Sequence, residues 1–386
     1  MTVWWITCFL GWVIFYEWIR RAATTFWFFG TQRLTKKAAQ SPTPANWPSV
    51  SVIVPARNEE QGIEGTLRSL LKMDYPDFEV IAVDDRSQDQ TGAILRRLAE
   101  QEQRLKVVHN RELPENWLGK QYAIHQAAQT AKGDFILLTD ADVLFNKKTL
   151  RLAIKYALGK KLDHLVLLTS HIPGKYWENA LWTFFIMLFM MHRNPKAVST
   201  CSKKYSIGLG QFNLVKKTAY QQAGGDEAIR LKIPQDMNLG RLLKCSGARQ
   251  DVLLGSDLIR LKWFRGVNGF MKITEKNAYA TLNFSLKELS SLTGFYLAVA
   301  ILPYIVLLSL HDARSYGYVF SVLMIHILHG YVGQKLQCGW RVLLVSPFCI
   351  ILYLSALWRS AYITIRQRGI RWRGRFYSLK TLRSGK

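Results

Sequence analysis

The sequence predicts an α/β domain with a mostly parallel sheet, carried between apolar membrane helices at its amino and carboxyl ends. Two observations predict it. Between residues 50 and 139, apolar runs alternate with helical patterns, and strands alternating with helices indicate βαβ units. Residues 1–30 and 290–363 are strongly apolar and lack that mixed patterning.

The first apolar segment, Val3–Ile19, is broken only by Glu17 and is followed at once by Arg20 and Arg21. A signal peptide carries its positive charges ahead of the apolar run. Here they follow it, which predicts a signal anchor over 1–37 with the amino terminus outside. A Pro-containing linker, 38–49, leads to the globular domain, 50–283. Strand-like runs fall at 50–54, 78–83, 105–109 and 134–139, with helical patterns at 60–72, 89–103 and 120–131. Trp177–Met191 is a short apolar stretch rich in aromatic and Met residues. It reads either as a buried helix or as an interfacial helix that guides a lipid acceptor.

Residues 284–365 form the expected carboxyl-terminal membrane region. Leu292–Leu310 and Leu343–Ile363 are close to the usual span, about 20 residues. Val319–Val332 is shorter and contains His326 and His329. If the globular domain is inside and all three segments cross, the basic tail, 366–386, ends outside, against the positive-inside rule. The expectation is therefore that 319–332 is re-entrant or interfacial and that the tail is cytoplasmic.

The chain carries a net charge of +25 over 386 residues, which implies anionic partners. The basic clusters flank apolar segments, and no nucleic-acid module is present, so a membrane surface fits and nucleic acid does not. The five cysteines are scattered, with no Cys-x-x-Cys pair. Neither a disulfide framework nor a zinc site is indicated, and the expectation is small buried side chains.

In open α/β sheets, ligands bind beyond the carboxyl ends of the strands. Carboxylates stand at those ends in SVIVPARNEE (51–60), VDDRSQDQT (83–91) and FILLTDAD (135–142). Asp140 and Asp142 flank one residue, so in extended backbone both point to one side. Two such carboxylates suit a hard divalent cation, Mg²⁺ or Mn²⁺, that neutralises a diphosphate leaving group. By itself Asp-x-Asp is also a common turn sequence.

The ordered set VPARNEE, VDDRSQDQT, NWLGKQYA (116–123) and LLTDAD resembles the family 2 glycosyltransferases with the GT-A fold, over roughly 48–280. KIPQDMNLGRLL places Gln235-Asp236 where the family has an acidic pair. TEKNAYATLNFS (274–285) and IRWRGRFY (370–377) resemble the hopanoid-associated and carotenoid-acid glycosyltransferases. The resemblance implies an inverting transferase that moves a sugar from a nucleotide-sugar, UDP being the family's commonest carrier, to a membrane lipid or terpenoid-type acceptor. It implies a bacterial inner-membrane enzyme with its catalytic domain cytoplasmic. It also implies roles. Pro55, Arg57 and Glu59 lie in the nucleotide loop. Asp84 or Asp85 meets the nucleobase, Asp85 by preference. Lys120 lies near base or phosphate. Asp140 contacts the donor ribose or sugar and, with Asp142, the metal. Asp236 is the general base; its alternative is a helix cap.

Two departures stand out. The Gln-x-x-Arg-Trp of processive members is replaced by Ile259-Arg260-Leu261-Lys262-Trp263. This weakens the alternative of a processive polysaccharide synthase and leaves Trp263 either at the acceptor entrance or packed at a domain edge. Gln235 removes one carboxylate beside the base. A third alternative, a non-catalytic scaffold keeping the fold, has no need of Asp140, Asp142 and Asp236 together.

Overall fold

A computed structural model describes residues 2–384. The chain divides into two compact units. One contains Thr31–Ile172, Pro195–Lys262 and the tail from Arg373; the other contains the amino-terminal residues to Gly30, Pro173–Asn194 and Trp263–Trp372.

The first unit is built on an eight-stranded sheet of order β3-β2-β1-β4-β7-β6-β8-β5. Its strands are β1 (Val50–Ala56), β2 (Phe78–Asp85), β3 (Leu105–Asn110), β4 (Phe135–Leu138), β5 (Val143–Phe145), β6 (His164–His171), β7 (Asn213–Lys216) and β8 (Gln250–Leu261). The first four fall on the predicted runs. Strand β1 reads as a nearly continuous apolar run because it is buried on both faces, as central parallel strands are. It pairs parallel with β2, from Val50↔Phe78 to Ala56↔Asp84, and with β4, from Val50↔Phe135 to Ile53↔Leu138. This register brings the ends of β1, β2 and β4, with their carboxylates, to one edge of the sheet.

The sheet is mixed and mostly parallel, as expected: four of its seven strand pairings are parallel. β7 runs antiparallel to both β4 and β6, and β5 runs antiparallel to β8. The alternation used for the prediction ends at residue 139. Beyond it, strands return through short or irregular connections that permit antiparallel pairing.

The helices pack as their periodicity requires. In Ile63–Leu71, Ile63, Leu67, Leu70 and Leu71 are buried, one face of a helix. Ala123, Ile124 and Ala127 of Gly119–Thr130 join Ile53, Ile81, Ile136, Leu239 and Leu243 in one core cluster. Leu239 and Leu243 belong to helix Gln235–Cys245. The apolar face of the helix that begins with Gln235-Asp236 is therefore fixed on the parallel half of the sheet.

In the second unit, three helices are long and apolar enough to cross a membrane: Leu286–Ser309, Ala313–Lys335 and Trp340–Arg366. All lie in the carboxyl-terminal region, which corrects the expectation of spans at both ends. Among the described residues, the amino-terminal helix is not one of these candidates. It runs unbroken from Thr2 to Thr31, straight through Glu17, Arg20 and Arg21, which pair with one another. The charged turn thus sits mid-helix instead of ending an apolar span. Trp18 is buried and donates its indole N–H to the Val299 carbonyl at 2.8 Å. A side-chain carbon at Gly317 would collide with the Gly11 backbone, so these helices cross closely where both residues are small.

The 319–332 stretch is the middle of a 20-residue helix, Tyr316–Lys335, so its apparent shortness was an artefact of apolar counting. His329 is buried there, between Ser346 Oγ at 2.8 Å and Thr183 Oγ1 at 3.0 Å. Residues 177–191 form helix Tyr176–Arg193, mostly buried, with Tyr176 and Trp177 exposed at its start. The cysteine expectation fails for Cys201 and Cys245, which are exposed; Cys349 alone is fully buried, and all five are free thiols.

Candidate active site

The loop after β4 carries Asp140, whose carboxylate is ion-paired with the Lys120 ammonium from the first turn of helix Gly119–Thr130. Burial pulls the Lys120 value down, but Asp140 and Asp236 outweigh it and hold the ammonium above its ordinary value. Lys120 is thus a fixed positive charge between two carboxylates.

Asp236 occupies the first turn of helix Gln235–Cys245. Its Oδ2 accepts from the Gly210 N–H at 2.7 Å and its Oδ1 from the Met237 N–H at 2.9 Å. Burial, followed by the opposing pull of Lys120 and the repulsion of Asp140, leaves its carboxyl above the ordinary aspartate value. Such a carboxylate is a stronger base than a solvated one.

Asp142 is exposed on the surface yet crowded by protein. That crowding, then the negative charges of Asp140 and Glu59, pushes its carboxyl up to about 7. The Lys120 ammonium offsets this only in part. Among the described residues, no group of three or more His, Cys, Asp and Glu side chains is placed to hold a metal by itself. A magnesium-like ion needs only one or two carboxylates when substrate phosphates and water complete its shell. Asp140 and Asp142 fit that role, and the charge deficit around Asp142 is what a cation would relieve.

The nucleotide-loop residues lie at the same edge. Pro55 is within β1, and Arg57 follows it with its Nε buried and lacking a hydrogen-bond partner. Glu59 is bound by the Arg373 guanidinium from the carboxyl-terminal tail. Asp85 is buried and held bidentately by Arg86, at 2.9 and 2.8 Å. Asp84 accepts from the Ser87 N–H at 3.1 Å and faces His109 Nδ1 at 3.2 Å. Gly119 has no room for a side chain because a carbon there would meet the Asp85 carboxylate at 2.6 Å.

Trp263 belongs to the second unit, where its ring lies 5.0 Å from that of Trp182 and 4.9 Å from that of Phe185.

Three features escaped the sequence reading. The first is Asp226, fully buried, whose carboxylate accepts from Gln235 Nε2 at 2.7 Å and Tyr220 Oη at 2.9 Å. Burial lifts it to about 7 despite those bonds. It explains the Gln235 departure: an acid there would face a second buried carboxylate, whereas the amide donates to it. The second is Gly208-Leu209-Gly210. A side-chain carbon at Gly208 would clash with the Asp236 carbonyl, and one at Gly210 with the Asp140 carboxylate. This loop has no ladder partner, so side chains satisfy its backbone. Gln250 bonds both polar groups of Ile207, and Asn213 bonds both of Leu209. The two closely spaced glycines were the available signal. The third is Arg373 with Tyr377, in a segment noted for its pattern without a role.

A mixed α/β sheet with strand-end carboxylates at one edge and a half-buried acid at a helix start is a GT-A-like arrangement. The same fold is seen in a mannosyltransferase from Pyrobaculum calidifontis solved with GDP-Man and Mn²⁺, with TM-score 0.51, 18% identity, and coverage of 92% of this chain and 98% of that one. Residues 51–223 match the family described as Glycosyl transferase family 2. It is similar to the 4,4'-diaponeurosporenoate glycosyltransferase of Staphylococcus haemolyticus, 29% identical over 50% of this chain and 51% of the relative. It is also similar to that of Staphylococcus aureus (strain MRSA252), 23% identical over 86% of this chain and 89% of the relative.

Proposed function

We propose that the chain transfers a sugar from a nucleotide-diphosphate donor to a membrane-lipid acceptor of terpenoid type, with inversion, using Asp236 as general base. The observation that carries this reading is the Asp140–Lys120–Asp236 arrangement, with Asp236 kept basic by burial and aimed by the Gly210 amide. The acceptor class comes from the diaponeurosporenoate relatives.

The acceptor hydroxyl oxygen forms a bond to the anomeric carbon as the bond from that carbon to the diphosphate oxygen breaks. The hydroxyl proton passes to an Asp236 oxygen, and the electron pair leaves with the nucleoside diphosphate. One displacement inverts the anomeric carbon. Lys120 holds Asp140 in place and keeps positive charge beside the leaving group. A divalent cation on Asp140 and Asp142 supplies further neutralisation of the diphosphate when bound.

The chain path supports a tail on the side of the catalytic unit. The chain leaves that unit at Lys262 and rejoins it at Arg373, so an even number of complete crossings lies between. Three helices there are long enough, so on this reading at least one of them does not cross fully. The cytoplasmic placement of the unit follows from the basic flanks of the apolar segments.

The test is donor turnover by detergent-solubilised protein across a panel of nucleotide sugars, with lipid acceptor extract and Mn²⁺, Mg²⁺ or chelator. Asp236→Asn is expected to lower turnover by roughly 10²–10⁴-fold with donor binding kept. Asp142→Ala is expected to abolish the metal-dependent part. Near-full activity in Asp236→Asn would remove the base assignment.

A further inference from the structure

The IRWRGRFY segment has no part in the mechanism above, yet it returns to the nucleotide edge of the sheet. Its turn is tight: Arg373 has φ 46° and Gly374 φ 80°. From this turn the Arg373 guanidinium reaches Glu59, a residue 314 positions earlier. Tyr377 is buried close to Asp85, Arg86 and the Gly119 backbone.

The tail thereby adds a third guanidinium to a place that already holds Arg57 and Arg86. Burial, then Arg86, acts to discharge Arg57, with Arg373 acting in the same sense; Asp85 and Tyr377 only partly offset them. Two anionic carboxylates answer three guanidiniums here, and both are occupied: Asp85 by Arg86 and Glu59 by Arg373. The Nε of Arg57 is buried without a partner. A buried, unmet donor among excess cations calls for an anion with several oxygens and more than one charge. Gly62, whose N–H bonds the Glu59 carbonyl at 3.0 Å, packs against Ala141 and Asp142, so this cationic group adjoins the metal-competent carboxylates.

We propose that the carboxyl-terminal ribbon is part of the donor site, with Arg373, oriented by Glu59, contacting the diphosphate of a nucleoside-diphosphate donor together with Arg57. Guanidinium suits this task because its planar fork matches phosphate oxygens. The assignment rests on the transferase reading and concerns how that donor is held. It also gives the tail's return a purpose: the donor pocket is complete only when the chain beyond the last apolar helix folds back on it.

The experiment measures binding of nucleoside diphosphates and the matching monophosphates to full-length protein in detergent with Mn²⁺, for wild type, Arg373→Ala and Arg373→Lys. A panel of UDP, GDP, ADP, CDP and TDP covers the unknown base. Arg373→Ala is expected to weaken the diphosphate by about tenfold or more and the monophosphate less than about twofold, with Arg373→Lys between. Equal weakening of both ligands, or none, overturns the assignment while leaving the transferase reading intact. A purely structural role for the ribbon gives the first of these, because a loosened pocket loses both ligands together. If the wild type binds no nucleotide in the panel and turns over no nucleotide sugar, the transferase reading itself falls and takes the assignment with it.

Discussion

Replacing Asp226 by Asn tests whether a buried carboxyl supports the start of the Asp236 helix. Asp226 is fully buried, and its carboxyl is lifted from an ordinary 3.8 to about 7. The difference is about three pH units, which at about 1.4 kcal/mol each gives roughly 4 kcal/mol. A carboxyl raised in the folded state contributes stability that is complete below its unfolded value, near 4, and is lost progressively as the pH rises from there to about 7. Asn keeps an oxygen for Gln235 Nε2, and its amide can donate to Tyr220 Oη, which already accepts from the Asp226 N–H at 3.0 Å. The hydroxyl hydrogen of Tyr220 then loses its partner, at about 1 kcal/mol. Asp226→Asn should therefore be less stable than wild type by about 1 kcal/mol only at the acid end, below about pH 4. It should overtake wild type between about pH 4 and 5 and approach an advantage of about 3 kcal/mol above pH 7. The assay is apparent Tm of the full chain in detergent at fixed scan rate from about pH 3.5 to 8.5, read as the difference between variant and wild type. Other titrations largely cancel in that difference. A difference that stays parallel across the range, or grows against the variant at high pH, refutes the reasoning.

Gln235→Glu should act in the opposite sense, since it sets a second carboxyl on Asp226. Its Tm deficit should widen with rising pH, and a flat deficit would show that the two groups do not interact. Gly208→Ala should cost about 1–3 kcal/mol by overpacking and slow turnover, because the new carbon meets the Asp236 carbonyl. Unchanged Tm and turnover would show that the loop yields freely. Tags at the carboxyl terminus and in the surface turn near residue 103 should be accessible from the same side of sealed vesicles; opposite sides would break the crossing argument.

Much of the catalytic unit is legible in the chain itself. The runs at 50–54, 78–83 and 134–139 are strands because apolar residues fill positions buried on both faces, while 105–109 is a partly exposed edge strand. The carboxylates that end them reach one edge because parallel pairing aligns strand ends. Asp140 and Asp142 stand out this way, whereas Asp236, at a helix start, is singled out only by the resemblance. Gln235 was visible only as a departure, because its partner Asp226 lies nine residues away across a turn with no period to announce it.

The sequence by itself determined the strand-helix alternation, the apolar carboxyl-terminal segments and the carboxylates at strand ends, since each is written in local periodicity and composition. Only the tertiary structure decided that β7 and β5 run antiparallel. It alone joined Asp226 to Gln235 and fitted Gly208 and Gly210 beneath Asp236 and Asp140. It alone brought Arg373 to Glu59. These are contacts between distant residues, formed by packing and charge in three dimensions, and no local pattern encodes them. The amino-terminal helix shows the converse: its composition suggested an anchor, but the fold carries one helix through its charged turn and buries Trp18 against Val299.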